Sequence, residues 1–599
     1  MLNEKKFFKI VIAVLSLTFI FLKIYLILIN KVNFGSFAYS ANTFIYYNTR
    51  AFSEIPQSFH DWNHPGTPIY YVTFLLSSIF LKNLNVENFQ NFINLHHIFI
   101  TIFTVLVLNY SAIKLRKYLS QIEIFFSFLF LFSFYSFVHT LEVVDPTNYL
   151  FPFSLLIVIQ TIELMNNPVK LRKRLIYFSL ISSLAISIKM SLLPLVLMSS
   201  LVVIIELRKK IKESLIFICL LFFSFVMFNL PILGRMPRVI YTILFVRSDT
   251  RFSFDEIFLY KITKLFQLIA FQNIFLLIMI FIFTVIIIIN SKKVFRYYEN
   301  KNFVYSVLIF LCFLYTLFSA NDEINIFDKY DRTGFFLRNC YFNSVFIIPL
   351  LIGFFEFRKS FFWVNFKLIF FLFIFLSFAS NLLFYFDYRN QKNVNIIQKK
   401  ERFNLEIDKL IPESSLIAIY GDSGYSFENE MFHFIGNSLF AGEKFNHDLI
   451  NSFENLRFFR LHDFIVNNFA DSKLKPQSNL MKNKNLAKKR NLDSIKEVIY
   501  GYDNYLKENL PYYLYLILSH NSHKLTSSFP GQKKRSRDLF LKNQNENINY
   551  VIFNENNMIL KEFNISGLRL INKLNQFLNI ISINEFQIYD DKWFILKLN

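Results

Sequence analysis

Long apolar stretches constrain the fold of this chain more than any other feature. They recur from Phe7 to Phe386, and most approach the roughly 17–25 residues that a helix needs to cross a bilayer. A helix satisfies its backbone hydrogen bonds internally, as a lipid environment requires. The sequence therefore predicts a mostly α-helical, polytopic membrane bundle. Its about eleven spans lie at residues 7–29, 94–113, 120–138, 147–165, 175–190, 191–206, 213–233, 266–290, 302–319, 340–356 and 361–386.

The placement of segment 66–82 decides the orientation of every later loop. Lys and Arg in short loops stay on the cytoplasmic side of a membrane. With the N-terminus inside, four basic clusters fall inside only if segment 66–82 is interfacial or re-entrant rather than spanning. These clusters are Lys114–Lys117, Lys170–Arg174, Arg208–Lys212 and Lys292–Lys301. We therefore predict an interfacial or re-entrant segment, with the C-terminal part of the chain outside the cytoplasm.

The composition changes after Asp387, where the apolar runs stop and charged residues and Asn become frequent. We predict two domains, a transmembrane domain at residues 1–387 and a water-exposed domain at residues 388–599. Strand-like runs at 415–420, 549–553 and 593–598 indicate that the second domain is a small α/β domain. The net charge of +21 is explained by basic membrane loops. We therefore expect membrane lipids, and no nucleic acid, among the partners.

The predicted topology gathers ionisable side chains on the outer face of the bundle. The first outer loop carries His60, Asp61 and His64 in the sequence HDWNHPGTP. Such groups crowded at a membrane face are more often kept for chemistry than for packing. Later outer loops and the end of span 175–190 supply the other candidates, which are Glu142, Asp145, Lys189, Arg332 and Arg338.

These residue types suit group transfer from a lipid phosphate. A carboxylate acts as a general base or holds a divalent cation, and Lys and Arg bind phosphate oxygens. Each candidate also has a structural interpretation. Asp61 and Asp145 suit helix capping, since Asp145 precedes Pro146 as an N-cap precedes a first-turn proline. Lys189 suits snorkelling at a helix end, the histidines suit solvated loops, and the arginines suit interfacial anchoring.

Over roughly residues 7–390 the chain resembles the bacterial C-type (GT-C) glycosyltransferases, which use polyprenyl-phosphate-linked sugars. It is similar to the aminoarabinose, mannosyl and galacturonosyl transferases of that class. The shared pattern is an apolar helix followed by a long outer loop ending in His-Pro, then a short outer loop with Asp, a helix-end Lys before Pro, and a late outer loop with Arg. In this chain the pattern falls on His64-Pro65, Asp145, Lys189 with Pro194, and Arg332 with Arg338.

The resemblance implies a role for each residue. Asp61 would deprotonate or orient an acceptor hydroxyl, Lys189 and Arg338 would hold the donor phosphate, and Asp145 would organise the site. It also implies that His64, Glu142 and Arg332 belong to the substrate-binding set. The cofactor is open, with a divalent metal ion as the candidate. The candidate metal ligands are His60, Asp61, His64 and Asp145.

One departure from the GT-C pattern keeps other functions open. Members of the class carry an acidic residue soon after the first span. In this chain residues 33–52 contain no Asp or Glu, and the first carboxylate after the span is Glu54. The expected function is sugar transfer to an envelope glycan, lipid or protein at the outer face of a bacterial inner membrane. The alternatives are a transporter or lipid-linked glycan flippase, and a catalytically inactive GT-C-like scaffold.

Overall fold

The computed structural model describes part of the chain in two units, and each is treated by itself. The units comprise Met1–Asn393 and Val394–Asn599. The residues described are 4–29, 49, 67–81, 89–134, 146–166, 171–230, 233, 274–294, 297–319, 341–356, 361–412, 415, 417–420, 458–460, 549–554, 568, 571–572, 575, 579–588 and 591–599.

The first unit is a bundle of helices. Four of them are long and apolar enough to cross a membrane, at Phe8–Tyr25, Asn91–Leu115, Thr147–Asn166 and Ile211–Phe228, and shorter apolar helices accompany them. The described helices are α1 (Glu4–Ile29), α2 (Thr67–Phe80), α3 (Phe89–Leu115), α4 (Gln121–Phe132), α5 (Leu150–Asn166), α6 (Leu171–Ile188), α7 (Leu193–Glu206), α8 (Ile211–Phe228), α9 (Ile274–Ile289), α10 (Lys301–Ser319), α11 (Ile347–Glu356) and α12 (Phe361–Leu410), with a single helical turn at Ser291–Val294. The last residues of α12, from Val394 on, belong to the second unit. Short 3₁₀ turns at Pro146–Tyr149, Met190–Leu192 and Tyr341–Phe346 lead into α5, α7 and α11.

Helix α5 is the centre of the bundle. It contacts α3, α6, α7 and the Tyr341–Phe346 turn. Of the residues from Thr147 to Asn166, 94% are buried. Its polar side chains bond within the protein, as when Gln160 Nε2 donates to the Tyr110 hydroxyl of α3 at 2.7 Å. A helix buried on all sides matches a nearly continuous apolar sequence rather than an amphipathic one.

Helices α1 and α3 are antiparallel. Ser16 donates to Asn109 Oδ1 at 3.2 Å, and the Arg116 guanidinium lies 4.9 Å from the ring centre of Phe8. The chain therefore leaves α1 and enters α3 at the same end of the bundle. Between them in sequence, the 14 residues of α2 extend about 21 Å, less than the roughly 30 Å hydrocarbon core.

Further pairs set the directions of the remaining helices. Helices α6 and α8 run parallel, whereas α7 and α10, and likewise α5 and α6, run antiparallel. Helix α4 runs parallel to the first part of α12. The contacts that show this are Ser183 with Leu221, Asn229 with Ser187, Glu206 with Lys301, Cys312 with Pro194, Phe126 with Phe371, and Asn381 with Phe132.

One end of the bundle, formed by residues 114–120, 163–166, 171–174, 206–212 and 297–302, is called the basic end below. There the buried Glu163 carboxylate forms ion pairs with Lys117 Nζ at 3.5 Å and Arg174 Nη2 at 3.2 Å. It also accepts a hydrogen bond from the Tyr118 hydroxyl at 3.1 Å. Burial raises the pKa of the Tyr118 hydroxyl above its ordinary value, and the adjacent Glu163 carboxylate raises it further. Tyr118 therefore stays protonated and acts as a donor.

A second carboxylate joins two more loops at the basic end. Glu206 forms an ion pair with Lys301 Nζ at 2.8 Å and accepts a hydrogen bond from the Tyr297 hydroxyl at 2.9 Å. Asn166 and Asn302 bond each other through their side-chain amides at 3.1 Å. The four basic loops of the sequence are thus held together at one end of the bundle.

A glycine allows two helices of this unit to approach closely. An added Cβ on Gly353 of α11 would lie 3.0 Å from the backbone nitrogen of Phe303 and 3.2 Å from its Cα on α10. Backbone atoms cannot rotate away, so the two helices would have to separate.

We expect Gly353→Ala to destabilise the protein by about 1–3 kcal/mol, the usual cost of overpacking. The measurement is thermal unfolding of the purified protein in detergent. Leu311→Ala, at an exposed position on α10, is the control and should change stability by less than about 0.5 kcal/mol. Equal shifts for the two variants would contradict the close contact.

The second unit contains a five-stranded mixed sheet in the order β2-β1-β3-β5-β4. β1 is parallel to β2 and β3, and β5 is antiparallel to β3 and β4. The strands are β1 (Ile417–Tyr420), β2 (Phe458–Arg460), β3 (Tyr550–Asn554), β4 (Ile580–Ile588) and β5 (Asp591–Leu598). Phe403, Ile407 and Ile411, at and just beyond the end of α12, join the buried core of the sheet, where Phe403 lies 4.9 Å from the ring of Trp593.

The prediction of a mostly helical chain is confirmed, and four of the described helices are long and apolar enough to cross a membrane. The three strands predicted at 415–420, 549–553 and 593–598 correspond to β1, β3 and β5. The break predicted between residues 190 and 191 lies at the end of α6, where Lys189 has an extended backbone. Helix α12 continues well past residue 386, the predicted end of the last span.

Candidate functional site

The end of the bundle opposite the basic end, called the motif end below, adjoins every predicted site segment in sequence. Helices α1 and α6 finish there, and α3, α5 and α7 begin there. Asp145 directly precedes the Pro146–Tyr149 turn, Lys189 directly follows α6, and His64 precedes α2 by three residues. Within the described residues, α6 contacts both α2 and the Pro146–Tyr149 turn. The elements adjoining three of the predicted motifs are therefore in contact.

Lys189 is the one predicted site residue within the described part of the chain. Its backbone is extended, with φ −151° and ψ 117°, and its N–H donates to the Ala185 carbonyl at 3.0 Å. Its own carbonyl accepts from Leu192 at 3.1 Å. Pro194, in the first turn of α7, lacks an N–H and suits a helix start. Lys189 therefore joins two helices at the motif end, and its side chain is partly exposed.

The end of α8 lies beside this junction. Asn229 caps α8 and donates from Nδ2 to the Ser187 hydroxyl at 2.6 Å and to the Phe225 carbonyl at 2.8 Å. Both Asn229 and Ser187 are fully buried. This amide fixes the last turn of α6, directly before Lys189.

A buried polar cluster occupies the interior of the motif end. It combines a lysine near the end of α1 with two adjacent histidines of α3 and the tyrosine that ends the 3₁₀ turn before α5. Lys23 is only 2% exposed and lies near both histidines. The members of this cluster are Lys23, His96, His97 and Tyr149, all buried.

His96 and Tyr149 form the best-defined contact of the cluster. The His96 Nε2 atom and the Tyr149 hydroxyl are hydrogen-bonded at 3.2 Å, with the two rings edge to face and their centres 6.0 Å apart. His96 Nδ1 has no hydrogen-bond partner among the described residues. Because Tyr149 ends the turn that begins at Pro146, this bond ties the segment following Asp145 to α3.

The cluster offers hydrogen-bond donors and acceptors and ties together elements that adjoin the predicted motifs. An imidazole bonded to a tyrosine hydroxyl is a proton donor and acceptor pair. Across the residues whose positions are described, no group of three or more His, Cys, Asp or Glu side chains could hold a metal ion. The described part of the motif end presents imidazole nitrogens and hydroxyl groups.

The other predicted site residues lie outside the described residues. They are His60, Asp61, His64, Glu142, Asp145, Arg332 and Arg338. Their catalytic, substrate-binding and metal-binding roles stay predictions.

The sequence prediction missed Lys23, His96 and His97. Each lies in an apolar stretch, and an ionisable residue inside such a stretch is rare enough to indicate function. That signal was present at KIYLILI and LHHIFIT.

We expect Tyr149→Phe to destabilise the protein by about 1–3 kcal/mol, because it leaves a buried His96 nitrogen without its bond. The readout is unfolding of the purified protein in detergent, followed by tryptophan fluorescence. Tyr177→Phe removes the same atom from a half-exposed ring and should have little effect. If both variants lose stability equally, the His96 bond does not contribute as described.

Comparison with protein-family models found no match, and no characterised protein compared with the chain is significantly similar to it.

Proposed function

We propose that this protein is a membrane glycosyltransferase. It moves a sugar from a polyprenyl-phosphate donor to an envelope glycan, lipid or protein acceptor at the outer face of a bacterial inner membrane. The observation that carries the proposal is the direction of the helices. The segments bearing the predicted base, the predicted phosphate ligands and the predicted organising carboxylate all adjoin helix ends at the motif end.

The late outer loop follows the same pattern. Helix α10 starts at the basic end, where Lys301 bonds Glu206, and runs toward the motif end, and α11 returns beside it. Ser306 of α10 donates to the Phe346 carbonyl at 2.8 Å, and the later residue Gly353 lies beside the earlier residue Phe303. The two contacts together support the antiparallel arrangement. Residues 332 and 338 lie between these two helices in sequence.

The antiparallel pairing of α1 and α3 supports the topology proposed for the first loop. If segment 66–82 crossed the membrane, α1 and α3 would run in the same direction. The contacts of Ser16 with Asn109 and of Arg116 with Phe8 favour the opposite arrangement. An interfacial or re-entrant α2 keeps Asp61 and Asp145 on the same side of the bundle.

The proposed reaction balances as a substitution at the anomeric carbon of the sugar. An acceptor hydroxyl oxygen forms the new glycosidic bond while the bond from the anomeric carbon to the phosphate oxygen breaks. Asp61 takes the proton of the hydroxyl, and the polyprenyl phosphate leaves with both bonding electrons. Lys189 and Arg338 neutralise the phosphate, which favours its departure. Asp145, Glu142, His64 and Arg332 orient the two substrates.

The experiment compares envelope glycans by mass spectrometry in a strain that lacks the gene and in the same strain carrying the wild-type gene. We expect one sugar to be missing from the first and restored in the second. The purified protein should then release polyprenyl phosphate from a donor bearing that sugar, in proportion to the glycosylated acceptor formed. Restoration of the glycan without any such release would overturn the proposal.

The buried polar cluster favours a second candidate, a transporter or flippase for lipid-linked glycans. Ionisable residues within membrane helices often mark substrate or proton pathways, and Lys23, His96 and His97 are buried in α1 and α3. Proteoliposomes distinguish the two candidates. A flippase moves an intact labelled lipid-linked glycan between leaflets, whereas a transferase needs an acceptor and cleaves the donor.

A further inference from the structure

We propose that the turn between α7 and α8, together with the outward face of α8, binds an anionic phospholipid. The phosphate would lie at the turn and an acyl chain along the helix. The inference concerns the basic end and does not depend on the proposed function.

Helix α8 is the least buried of the four candidate spans, because only 11% of its residues between Ile211 and Phe228 are buried in the protein. Phe217 and Ser224 face inward, and Phe217 packs against Phe178 of α6 with ring centres 5.6 Å apart. The opposite face is an exposed apolar stripe at four- and three-residue spacing, which places its members on one side of a helix. The stripe consists of Ile211, Leu215, Ile218 and Phe222.

The length of the stripe matches one leaflet. From Ile211 to Phe222 a helix rises about 16 Å, and half of a roughly 30 Å hydrocarbon core is about 15 Å. An acyl chain can therefore cover the whole stripe while its headgroup lies at the turn before Ile211.

Exposed cations concentrate at that turn. Arg208, Lys209, Lys210 and Lys212 are all exposed. Among the first five residues of α8, Glu213 is the one that carries a carboxylate. The nearby Glu206 carboxylate is bound by Lys301 and Tyr297, so its charge is already compensated. The turn thus has an excess of positive charge that fits a phosphodiester.

An aromatic side chain marks the depth of the turn. The Arg208 guanidinium lies 4.2 Å from the ring centre of Tyr298, and Lys301 lies 5.7 Å from the same ring. Tyrosines are enriched at the level of lipid headgroups. Cations at the turn, an interfacial tyrosine and an apolar stripe one leaflet long match the headgroup, the interface and the acyl chain of an anionic lipid.

The test is native mass spectrometry of the full chain in mild detergent, with phosphatidylglycerol and phosphatidylcholine of identical acyl chains added in equal amounts. We expect the wild type to retain phosphatidylglycerol preferentially. Each basic side chain near an anionic headgroup contributes about fivefold to affinity. The triple variant Lys209→Gln/Lys210→Gln/Lys212→Gln should therefore bind phosphatidylglycerol on the order of a hundredfold more weakly.

A charge-matched control is available in the second unit, where Arg402, Lys409 and Lys597 are exposed. Arg402→Gln/Lys409→Gln/Lys597→Gln should bind phosphatidylglycerol as the wild type does. Equal binding of the two lipids by the wild type, unchanged binding in the first triple variant, or a dimer in place of lipid adducts would each overturn the proposal. If that triple variant fails to fold, Lys210→Gln alone should weaken binding about fivefold, and no change would count against the site.

Discussion

Glu163→Ala is expected to lower the stability of the protein by about 3–5 kcal/mol, the usual cost of breaking a buried ion pair by removing one partner. The Glu163 side chain is 3% exposed and is the shared acceptor for Lys117, Arg174 and the Tyr118 hydroxyl. Its loss leaves the partly buried Arg174 charge without this carboxylate. The measurement is denaturant unfolding of the purified protein in detergent micelles.

Two further variants sharpen this prediction. Glu163→Gln keeps the shape and one acceptor oxygen, so its loss should be smaller than that of Glu163→Ala. Glu406→Ala removes the partner of Lys409, an exposed pair at 2.9 Å, and such pairs contribute about 0–1 kcal/mol. If Glu163→Ala were no more harmful than Glu406→Ala, the basic end would not depend on Glu163.

Asp61→Asn is expected to reduce sugar transfer by about 10²–10⁴-fold, the usual contribution of a general base. Asparagine has nearly the shape of aspartate but cannot accept the proton of an acceptor hydroxyl. The measurement is the initial rate of donor cleavage by purified protein, using the sugar identified from the missing envelope glycan. Asp408→Asn, at an exposed position in the second unit, is the control and should retain the wild-type rate.

Replacement of Asp145 by Asn separates a role in catalysis from a role in helix capping. Asn caps a helix about as well as Asp does, so Asp145→Asn preserves a cap before Pro146 while it removes the charge. A large loss of rate with unchanged stability would indicate a role in the reaction. A normal rate for both Asp61→Asn and Asp145→Asn would remove the two carboxylates on which the proposed mechanism depends.

The sequence predicted features that depend on local apolarity and local turn chemistry. The break beside Lys189 was predictable because a charged residue and Pro194 interrupt two apolar runs. Strands β1, β3 and β5 were predictable because each is a short run of β-branched and aromatic residues. Strand β4 was missed, since its exposed polar positions, as in ISINEFQI, give a weak apolar signal.

Features that depend on contacts distant in sequence could not be predicted. Nothing local indicates that Glu163 binds Lys117 from an earlier loop, or that Gly353 meets the backbone of Phe303. Helix α12 was predicted only as far as residue 386, because the prediction rested on apolar runs and the last of these ends there. Its later turns mix many polar residues with scattered apolar ones, and the four-residue spacing of Phe403 and Ile407 becomes meaningful only beside the sheet.

The central position of α5 has a consequence for the biosynthesis of the protein. Asn166 bonds Asn302, which lies 136 residues later in the chain, and translation at about 5–20 residues per second delays that partner by roughly 7–27 s. During this interval α5 can contact the earlier α3, but the side that will face α10 is open to lipid or to the insertion machinery. Chains truncated before residue 301 should therefore be recognised as unassembled and degraded, even though the helices they contain are complete.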